Sequence, residues 1–202
     1  MGNGSYFDDF VMKADEQVTR IWEAVKYREK NFDEEWMIVV TTDHGRAENG
    51  YGHGGQSLRE RTTWISTNVP TNVYFKKGDP AIIDVTPSIC RFMRFEVPRN
   101  ILWEQDGMPF IGNVDIYDLQ TQPYDNFVYL TWGSYSNNTP VTIYASPTNN
   151  FKNGGEDNWI KLATVKAGSK GYKVDLKDLP SSNFYKFVVE APNNHLTRWI
   201  QR

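Results

Sequence analysis

The sequence predicts an α/β fragment followed by an all-β domain, and three observations lead to that expectation. A helix-periodic stretch near the start is followed by an apolar run of strand length and then by a polar, glycine-rich loop. A second helical pattern follows, which adds to an α/β layer. Beyond Gly112, short strand-like runs alternate with turn residues, and long helical patterns end.

The first half reads in the order helix, strand, loop, strand, helix. Apolar residues recur at three- and four-residue steps over 7–28, which predicts an amphipathic helix. The run WMIVVTT (36–42) predicts a strand buried on both faces of a parallel sheet. TTWIST (63–68) predicts a second strand, and NVYFKKG (72–78) has the composition of a third short one. DVTPSICRFMRF (84–95) predicts a helix with its proline in the first turn. So few elements cannot cover both faces of a parallel sheet, which makes this half a fragment.

The second half predicts a β-sandwich. Short runs of β-type residues are separated by segments rich in Asn, Gly, Ser and Pro, which indicates six or seven strands. The helical texture ends near residue 112, so two domains are expected, 1–112 and 113–202. The runs are FVYLTW (127–132), VTIYAS (141–146), WIKLATV (159–165), YKVDL (172–176), FYKFVVEA (184–191) and LTRWIQ (196–201).

Composition narrows the classes of function. The formal net charge is −3 and no basic stretch is interleaved with aromatic residues, so binding to DNA or RNA is not expected. No apolar run reaches the roughly 18 residues of a membrane span. The single cysteine, Cys90, cannot form an internal disulfide bond. The first ten residues lack the basic and apolar regions of a signal peptide.

The residues with the clearest chemistry lie between the first two predicted strands. Asp43 and His44 directly follow a strand, and ligands of open α/β sheets bind beyond the carboxyl ends of strands. His53 follows between Gly52 and Gly54, which let the backbone fold back. One carboxylate and two imidazoles suit zinc and similar ions. The pattern predicts a metal site at these three polar residues, and the alternative is an ordinary solvent-exposed loop.

Two arginines flank this loop. Arg46 and Arg59 are candidates to contact a substrate phosphate, and the alternative is a solvated loop with local ion pairs. Further along, Asp84 is expected to cap the helix predicted over 84–95.

The first half resembles the alkaline phosphatase superfamily. TTDHGR, then GHGG, then TTWIST is similar to the last metal-ligand segment of these enzymes. The superfamily includes type I phosphodiesterases, nucleotide pyrophosphatases, sulfatases and cofactor-independent phosphoglycerate mutases. ADEQVTRIWEAVKYR resembles the helix before that segment, DVTPSICRFMRFEVP resembles a later helix, and DGMPFIG (106–112) resembles the closing segment. The resemblance covers roughly residues 5–112.

The resemblance implies a two-metal phosphodiesterase or phosphatase, usually with two zinc ions that clamp a phosphoryl group of a small phosphate ester. By the motif, Asp43 and His44 bind one ion and His53 binds the other. The family's Thr or Ser nucleophile, its first Asp ligand and an Asp-His ligand pair come earlier in its sequences and find no match here. The chain is therefore expected to begin within the domain, to hold no catalytic residue, and to be inactive alone. Its incomplete α/β domain is expected to self-associate.

The second half resembles a fibronectin type III module among the immunoglobulin-like sandwiches. FYKFVVEAP is similar to the module's strand in which Tyr precedes alternating apolar residues, and Trp132 matches its core tryptophan. Trp159, Trp199 and Tyr144 form either a sugar-stacking platform or internal packing. The abundance of aromatic residues is typical of extracytoplasmic β domains, so the intact protein is expected outside the cytoplasm.

Two other functions stay open at this point. The first is a non-catalytic binding or scaffolding module whose β-sandwich holds a glycan or a partner protein. The second is a sulfatase fragment, because sulfuryl and phosphoryl groups are similar. A sulfatase would need a Cys- or Ser-derived nucleophile that this sequence does not place.

Overall fold

The computed structural model describes residues 4–202. The chain divides into two compact units, Met1–Pro70 and Thr71–Arg202. Within the described part, no helix is both long and apolar enough to cross a membrane, in agreement with the sequence.

The first unit begins with the helix that the apolar periodicity predicts. This helix, α1 (Ser5–Phe32), extends beyond the predicted range at both ends. It ends at Asp33, whose φ of 52° is left-handed and stops the helical path. Val25 is buried, whereas apolar residues such as Phe10 and Ile21 are exposed. Within this unit, α1 therefore presents much of its apolar surface to solvent.

Two short strands frame the loop that contains the predicted metal ligands. β1 (Val39–Thr41) pairs with β2 (Ile65–Thr67), and the pairing is antiparallel, with Val40 opposite Ser66. The residues of β1 are only half-buried. The prediction of a strand buried on both faces of a parallel sheet is therefore wrong for the described chain. Two short strands supply too little surface to be buried on both sides. A single-turn helix, α2 (Leu58–Arg61), lies between them in sequence.

The second unit opens with three short helices. The second of them confirms the helix predicted over 84–95. The first replaces the short strand that NVYFKKG indicated, because the Asn72 side chain accepts a hydrogen bond from the Phe75 N–H at 3.1 Å and caps a helix there. The helices are α3 (Val73–Lys77), α4 (Val85–Phe92) and α5 (Arg99–Leu102).

Asp84 joins separate parts of this helical segment and is not the simple helix cap that the sequence predicts. Its buried carboxylate accepts hydrogen bonds from the N–H groups of Ala81 and Met108, both at 2.7 Å. It also accepts one from the Tyr74 hydroxyl at 2.8 Å. Burial and then this hydrogen bond raise the pKa of Tyr74. This carboxylate therefore links the first helix of the segment, which contains Tyr74, to the chain after the last helix, which contains Met108.

The rest of the second unit consists of two antiparallel sheets, ordered β3-β4-β7 and β6-β5-β8-β9. All six strands predicted from the sequence are present as β4 to β9. The sequence did not reveal β3 (Ile116–Tyr124), because an extra residue between Tyr117 and Gln120 breaks its alternation, and Asp118 there has a φ of 53°. The other strands are β4 (Phe127–Ser134), β5 (Pro140–Ser146), β6 (Ile160–Lys166), β7 (Gly171–Asp175), β8 (Phe184–Glu190) and β9 (His195–Gln201).

A single hydrophobic core draws side chains from both sheets. Trp132 is buried as predicted, and its indole N–H donates to the Ala167 carbonyl at 2.9 Å. The Tyr185 ring is also buried, and its hydroxyl donates to the Pro180 carbonyl at 3.0 Å. The sheets therefore form a sandwich, while its fibronectin type III character stays a prediction. Fully buried core residues include Ile116, Leu119, Val128, Leu130, Val141, Ile143, Phe187 and Val189.

The segment around α5 covers part of the outer face of the four-stranded sheet. The buried Trp103 ring packs against Tyr144 and Trp159, with centroid distances of 4.7 and 4.8 Å. Arg99 stacks on Trp103 at 4.2 Å and forms an ion pair with Glu190. Internal packing therefore accounts for two of the three aromatic residues considered for a sugar platform.

The sequence-based division at residue 112 differs from the division by packing. By packing, residues 71–112 belong to the same compact unit as the two sheets. A segment inherited with one domain can pack on the next one, so packing does not test ancestry. The division into 1–112 and 113–202 therefore stays a prediction about ancestry.

A candidate metal centre

Main-chain contacts close the loop between β1 and β2. The Gly45 N–H donates to the Glu60 carbonyl at 2.8 Å, and the Ala47 N–H donates to the Gly52 carbonyl at 2.9 Å. A Cβ atom at Gly45 would lie 1.9 Å from the Arg59 carbonyl oxygen, so the two backbones cross at a point where only glycine fits. The start and the end of the loop are thereby held together.

A backbone contact assigns the proton of the His44 ring to Nδ1. Its Nδ1 lies 2.6 Å from the Gly45 carbonyl oxygen, and because a carbonyl only accepts, Nδ1 carries the proton. In the neutral ring, Nε2 then keeps the lone pair that a metal ion would need. A backbone carbonyl on the other ring nitrogen is a common partner of metal-binding histidines, because it fixes the tautomer and the ring orientation.

Asp43 lies where it can share an ion with His44. The His44 N–H donates to Asp43 Oδ1 at 2.9 Å, which fixes the carboxylate beside the ring. The other oxygen, Oδ2, is 3.4 Å from His44 Nε2. Zinc bonds of about 2.0–2.1 Å at a tetrahedral angle place two donor atoms about 3.3 Å apart. These two residues therefore fit one zinc-sized ion.

His53 lies beside the Asp43–His44 pair, because its ring stacks on that of His44. The two ring centroids are 4.5 Å apart and the planes differ by 20°. Nitrogen lone pairs lie in the plane of each imidazole, so two stacked and nearly parallel rings do not both direct a lone pair at one ion. They can serve two neighbouring ions, and two-metal sites hold their ions about 3.5–4 Å apart. The loop thus brings all three predicted ligands close together.

The donor set is nevertheless small. Among the described residues, no group of three or more His, Cys, Asp or Glu side chains is arranged to hold one metal ion. Asp43 is largely exposed, with 86% of its side chain accessible, which leaves room for water or further ligands. Residues 4–202 therefore offer a partial site, and metal binding stays a prediction.

Glu60 positions the glycine turn that carries His53, a role that the sequence analysis did not find. Its carboxylate accepts hydrogen bonds from the Ser57 hydroxyl at 2.6 Å and from the Gly55 N–H at 2.9 Å. The hydrogen bond from Ser57 contributes most to lowering the pKa of the Glu60 carboxylate, and the bond from Gly55 comes next. The nearby charge of His53 lowers this pKa further. The signal was present in the sequence, since a serine three residues before a glutamate has capping-box spacing.

The two arginines proposed to contact phosphate have different surroundings. The Arg59 guanidinium lies 3.7 Å from the Glu48 carboxylate and donates to the Glu48 carbonyl at 3.3 Å. It therefore stabilises the loop, as the alternative of local ion pairs predicts. Arg46 is exposed to solvent. Phosphate contact by either residue stays a prediction.

Comparison with curated proteins gives a partial match in the same superfamily. No protein-family model matches the chain. A stretch of 102 residues, 50% of the chain, is 31% identical to the 2,3-bisphosphoglycerate-independent phosphoglycerate mutase of Mycoplasma mycoides subsp. mycoides SC and covers 18% of it. A stretch of 67 residues, 32% of the chain, is 34% identical to the mutase of the same name from Mycoplasma capricolum and covers 13% of it. The chain thus spans less than a fifth of these relatives, which belong to the alkaline phosphatase superfamily.

Solved structures give only a distant likeness. Two crystal structures of a pectate lyase from Pectobacterium carotovorum have TM-scores of 0.31 and identities of 23% and 24%, covering 42% of this chain and 25% and 24% of theirs. A pectate lyase from Erwinia chrysanthemi in complex with tetragalacturonic acid has a TM-score of 0.30 and 14% identity, covering 43% and 27%. Likenesses this low support no conclusion about fold or function.

Proposed function

We propose that residues 43–53 are the metal-binding segment of a phosphoryl-transfer enzyme of the alkaline phosphatase superfamily that acts on phosphate esters. The observation that carries this proposal is the pairing of Asp43 Oδ2 with His44 Nε2 at 3.4 Å, in the tautomer that leaves Nε2 open. The partial identity to phosphoglycerate mutases supports the same superfamily. This identity also makes mutase activity a third candidate for the whole protein, beside phosphodiesterase and phosphatase activity.

Each residue of the segment has a stated role in this proposal. Asp43 and His44 hold one divalent ion, His53 holds a second, and Glu60 fixes the turn that presents His53. Zinc is proposed from the mixed carboxylate and imidazole donors. When bound, the two ions supply charge neutralisation at the phosphoryl oxygens. Arg46 is the better placed of the two arginines to contact phosphate, since Arg59 is paired within the loop.

The same donor count leads us to propose that this chain is inactive alone. A catalytic zinc uses about three protein ligands. Here two donors serve one ion and a single donor serves the other. Assays with p-nitrophenyl phosphate and bis-p-nitrophenyl phosphate in added zinc should show no turnover. Zinc-dependent turnover that disappears in His44→Ala would contradict this part of the proposal.

Metal binding itself is tested by competition with a chromophoric zinc chelator. Asp43→Asn and His44→Ala should each weaken zinc binding at least tenfold, the lower end of the roughly 10–100-fold effects seen when the surroundings of a metal site are altered. Cobalt substitution should give d–d absorption bands in the wild type that these variants lose. His53→Ala should weaken binding less, because it leaves the Asp43–His44 pair intact.

The matched control removes a different carboxylate from the same loop. Glu48→Gln takes away one negative charge, as Asp43→Asn does, but Glu48 contacts Arg59 and no proposed ligand. We expect less than a twofold change in zinc affinity for Glu48→Gln. If both substitutions have the same effect, the loop attracts cations only by its charge, and the proposed site is wrong.

For the second unit, we propose a fibronectin type III-like module of an extracytoplasmic protein. The sheets of three and four antiparallel strands support it. So does the bond from the Tyr185 hydroxyl to the Pro180 carbonyl, which resembles the tyrosine corner of immunoglobulin-like sandwiches. For the first unit, we propose self-association through the exposed apolar residues of α1.

A further inference from the structure

A cleft on the outer face of the four-stranded sheet lies outside the proposed metal site and is not explained by it. Its volume is about 580 Å³, within the range of ligand pockets. The ends of β8 and β9 form its floor, where Phe184 is opposite Gln201 and Lys186 is opposite Trp199. The turn after α5 and the turn between β5 and β6 form its walls.

The cleft contains an exposed aromatic platform. Trp199 is 58% exposed, although large apolar side chains in a sandwich are normally turned inward. Its ring stacks on that of Phe184, with centroids 5.8 Å apart and planes 26° from parallel. Phe184 therefore supports the Trp199 ring, whose exposed part is surrounded by a polar rim. Exposed apolar surface with a polar rim is typical of ligand-binding grooves.

The polar rim of the cleft is rich in planar amides. Asn149, Asn183 and Gln201 line it, and each amide offers both donors and an acceptor. The Glu104 carboxylate at the wall is held in place by Lys186, whose Nζ lies 2.7 Å from Glu104 Oε2. The cleft thus combines an aromatic floor with several hydrogen-bonding side chains, among them the Glu104 carboxylate held by Lys186.

The charged residues of the cleft indicate whether its ligand is anionic, cationic or neutral. The charged residues of the lining are Glu104, Asp106, Lys152 and Lys186, so the two formal signs balance. Lys186 is further occupied by Asp157, 2.7 Å from its Nζ. Asp106 in turn lies 4.0 Å from Arg198, so three carboxylates and three cations surround the cleft. Neither an anionic nor a cationic ligand would find a large excess of opposite charge.

We infer that this cleft binds a neutral oligosaccharide, with a sugar ring stacked on the exposed part of Trp199 and its hydroxyls bonded to the amides and to Glu104. The apolar C–H face of a pyranose matches the exposed tryptophan ring, and its hydroxyls both donate and accept, as the amides do. The inference is independent of the metal site. It would make the second unit a glycan-binding module.

The experiment is a printed array of neutral and anionic oligosaccharides, followed by calorimetric titration with the neutral glycan that gives the strongest signal. We expect the wild type to bind at least one neutral glycan. Trp199→Ala should weaken that binding at least tenfold while leaving the thermal unfolding midpoint nearly unchanged, since the side chain is exposed. Gln201→Ala should weaken binding a few-fold, because it removes one amide.

The control is Trp64→Ala, which removes a tryptophan of similar exposure, 52%, from the first unit. It should leave glycan binding unchanged. The inference is overturned if no neutral glycan binds in a Trp199-dependent way, or if only anionic glycans do. It is also overturned if the wild type is a dimer that Trp199→Ala converts to a monomer, because the face would then be covered by a second copy.

Discussion

At the scale of single residues, one glycine determines whether the proposed metal loop can close. Gly45→Ala would place a Cβ atom 1.9 Å from the Arg59 carbonyl oxygen, so the two backbones would have to separate. We expect the substitution to break the hydrogen bond from the residue 45 N–H to Glu60 and to lower zinc affinity at least tenfold in the chelator competition.

Gly52→Ala serves as the matched change for this prediction. A Cβ atom there would meet the Ala47 Cβ at 3.6 Å, an ordinary van der Waals distance. Its effect on zinc affinity should stay within about twofold. Equal losses for both variants would show that the loop needs flexibility at any glycine, and not the specific crossing at Gly45.

A second residue gives the protein a predictable response to acid. His195 is buried, and burial lowers its pKa, although a hydrogen bond with the Gln105 carbonyl and the Glu190 charge oppose the shift. In the unfolded chain the pKa is about 6.5. As pH falls through that value, the unfolded chain gains a proton that the folded chain does not. The free energy of unfolding should therefore decrease, by at most about 1.4 kcal/mol per pH unit from this group.

Urea unfolding at pH 7.5, 6.5 and 5.5 measures this effect. His195→Gln keeps a hydrogen-bond donor for the Gln105 carbonyl and should flatten the pH dependence over this range. A wild-type stability that is constant between pH 7.5 and 5.5 would show that His195 titrates equally in both states.

At the scale of elements, the helical segment of the second unit depends on one buried carboxylate. Asp84→Ala leaves the N–H groups of Ala81 and Met108 without their acceptor and removes the nearer of the two acceptors of the Tyr74 hydroxyl. At about 1 kcal/mol for each lost hydrogen bond, we expect a destabilisation of about 3 kcal/mol in urea unfolding. Asp79→Ala, at an exposed position nearby, should change stability by less than about 0.5 kcal/mol.

The strands and helices also show which sequence patterns were sufficient to predict an element. The strands β4 to β9 could be predicted because each has continuous β-type residues between turn residues. β3 could not, since the extra residue beside Asp118 places Ile116 and Leu119, both buried, three positions apart. The stretch after Asn72 contains Val and aromatic residues typical of a strand, but the capping bond from that asparagine favours a helix.

The candidate site was predictable in its residues and less so in its geometry. A strand end followed by Asp43, His44 and a glycine-flanked His53 was enough to nominate the ligands. The stacking of the two imidazoles depends on the Gly45 crossing and on the Glu60 carboxylate, which join positions far apart in the loop. Contacts of that kind cannot be read from local periodicity.

At the scale of the whole molecule, we expect a stable fragment to begin at residue 71, where the second unit begins, and not at residue 113. A fragment of residues 71–202 retains the packing of Trp103 on Tyr144 and the ion pair of Arg99 with Glu190. A fragment of residues 113–202 lacks both. We expect the longer fragment to unfold cooperatively, and the shorter one to melt at least about 10 °C lower, since each kcal/mol is worth roughly 4–8 °C in a small domain.

Differential scanning calorimetry of the two purified fragments tests this expectation. Equal melting temperatures would mean that residues 71–112 contribute little to the sandwich. That result would support a functional division at residue 112 as well as an ancestral one. A longer fragment that fails to fold would show that the compact unit needs residues 4–70.

The buried ion cluster of Lys186, Glu104 and Asp157 has a consequence for how the protein is made. Lys186 is 82 residues beyond Glu104 in the chain. At about 5–20 residues per second, a ribosome needs roughly 4–16 seconds to add that stretch. During this time the Glu104 carboxylate lacks Lys186, and the Trp103 indole N–H lacks its acceptor Glu190 on the same strand. The second unit therefore completes its fold only after β8 has been synthesised, and until then its nascent chain offers unpaired polar and aromatic groups that a chaperone can bind.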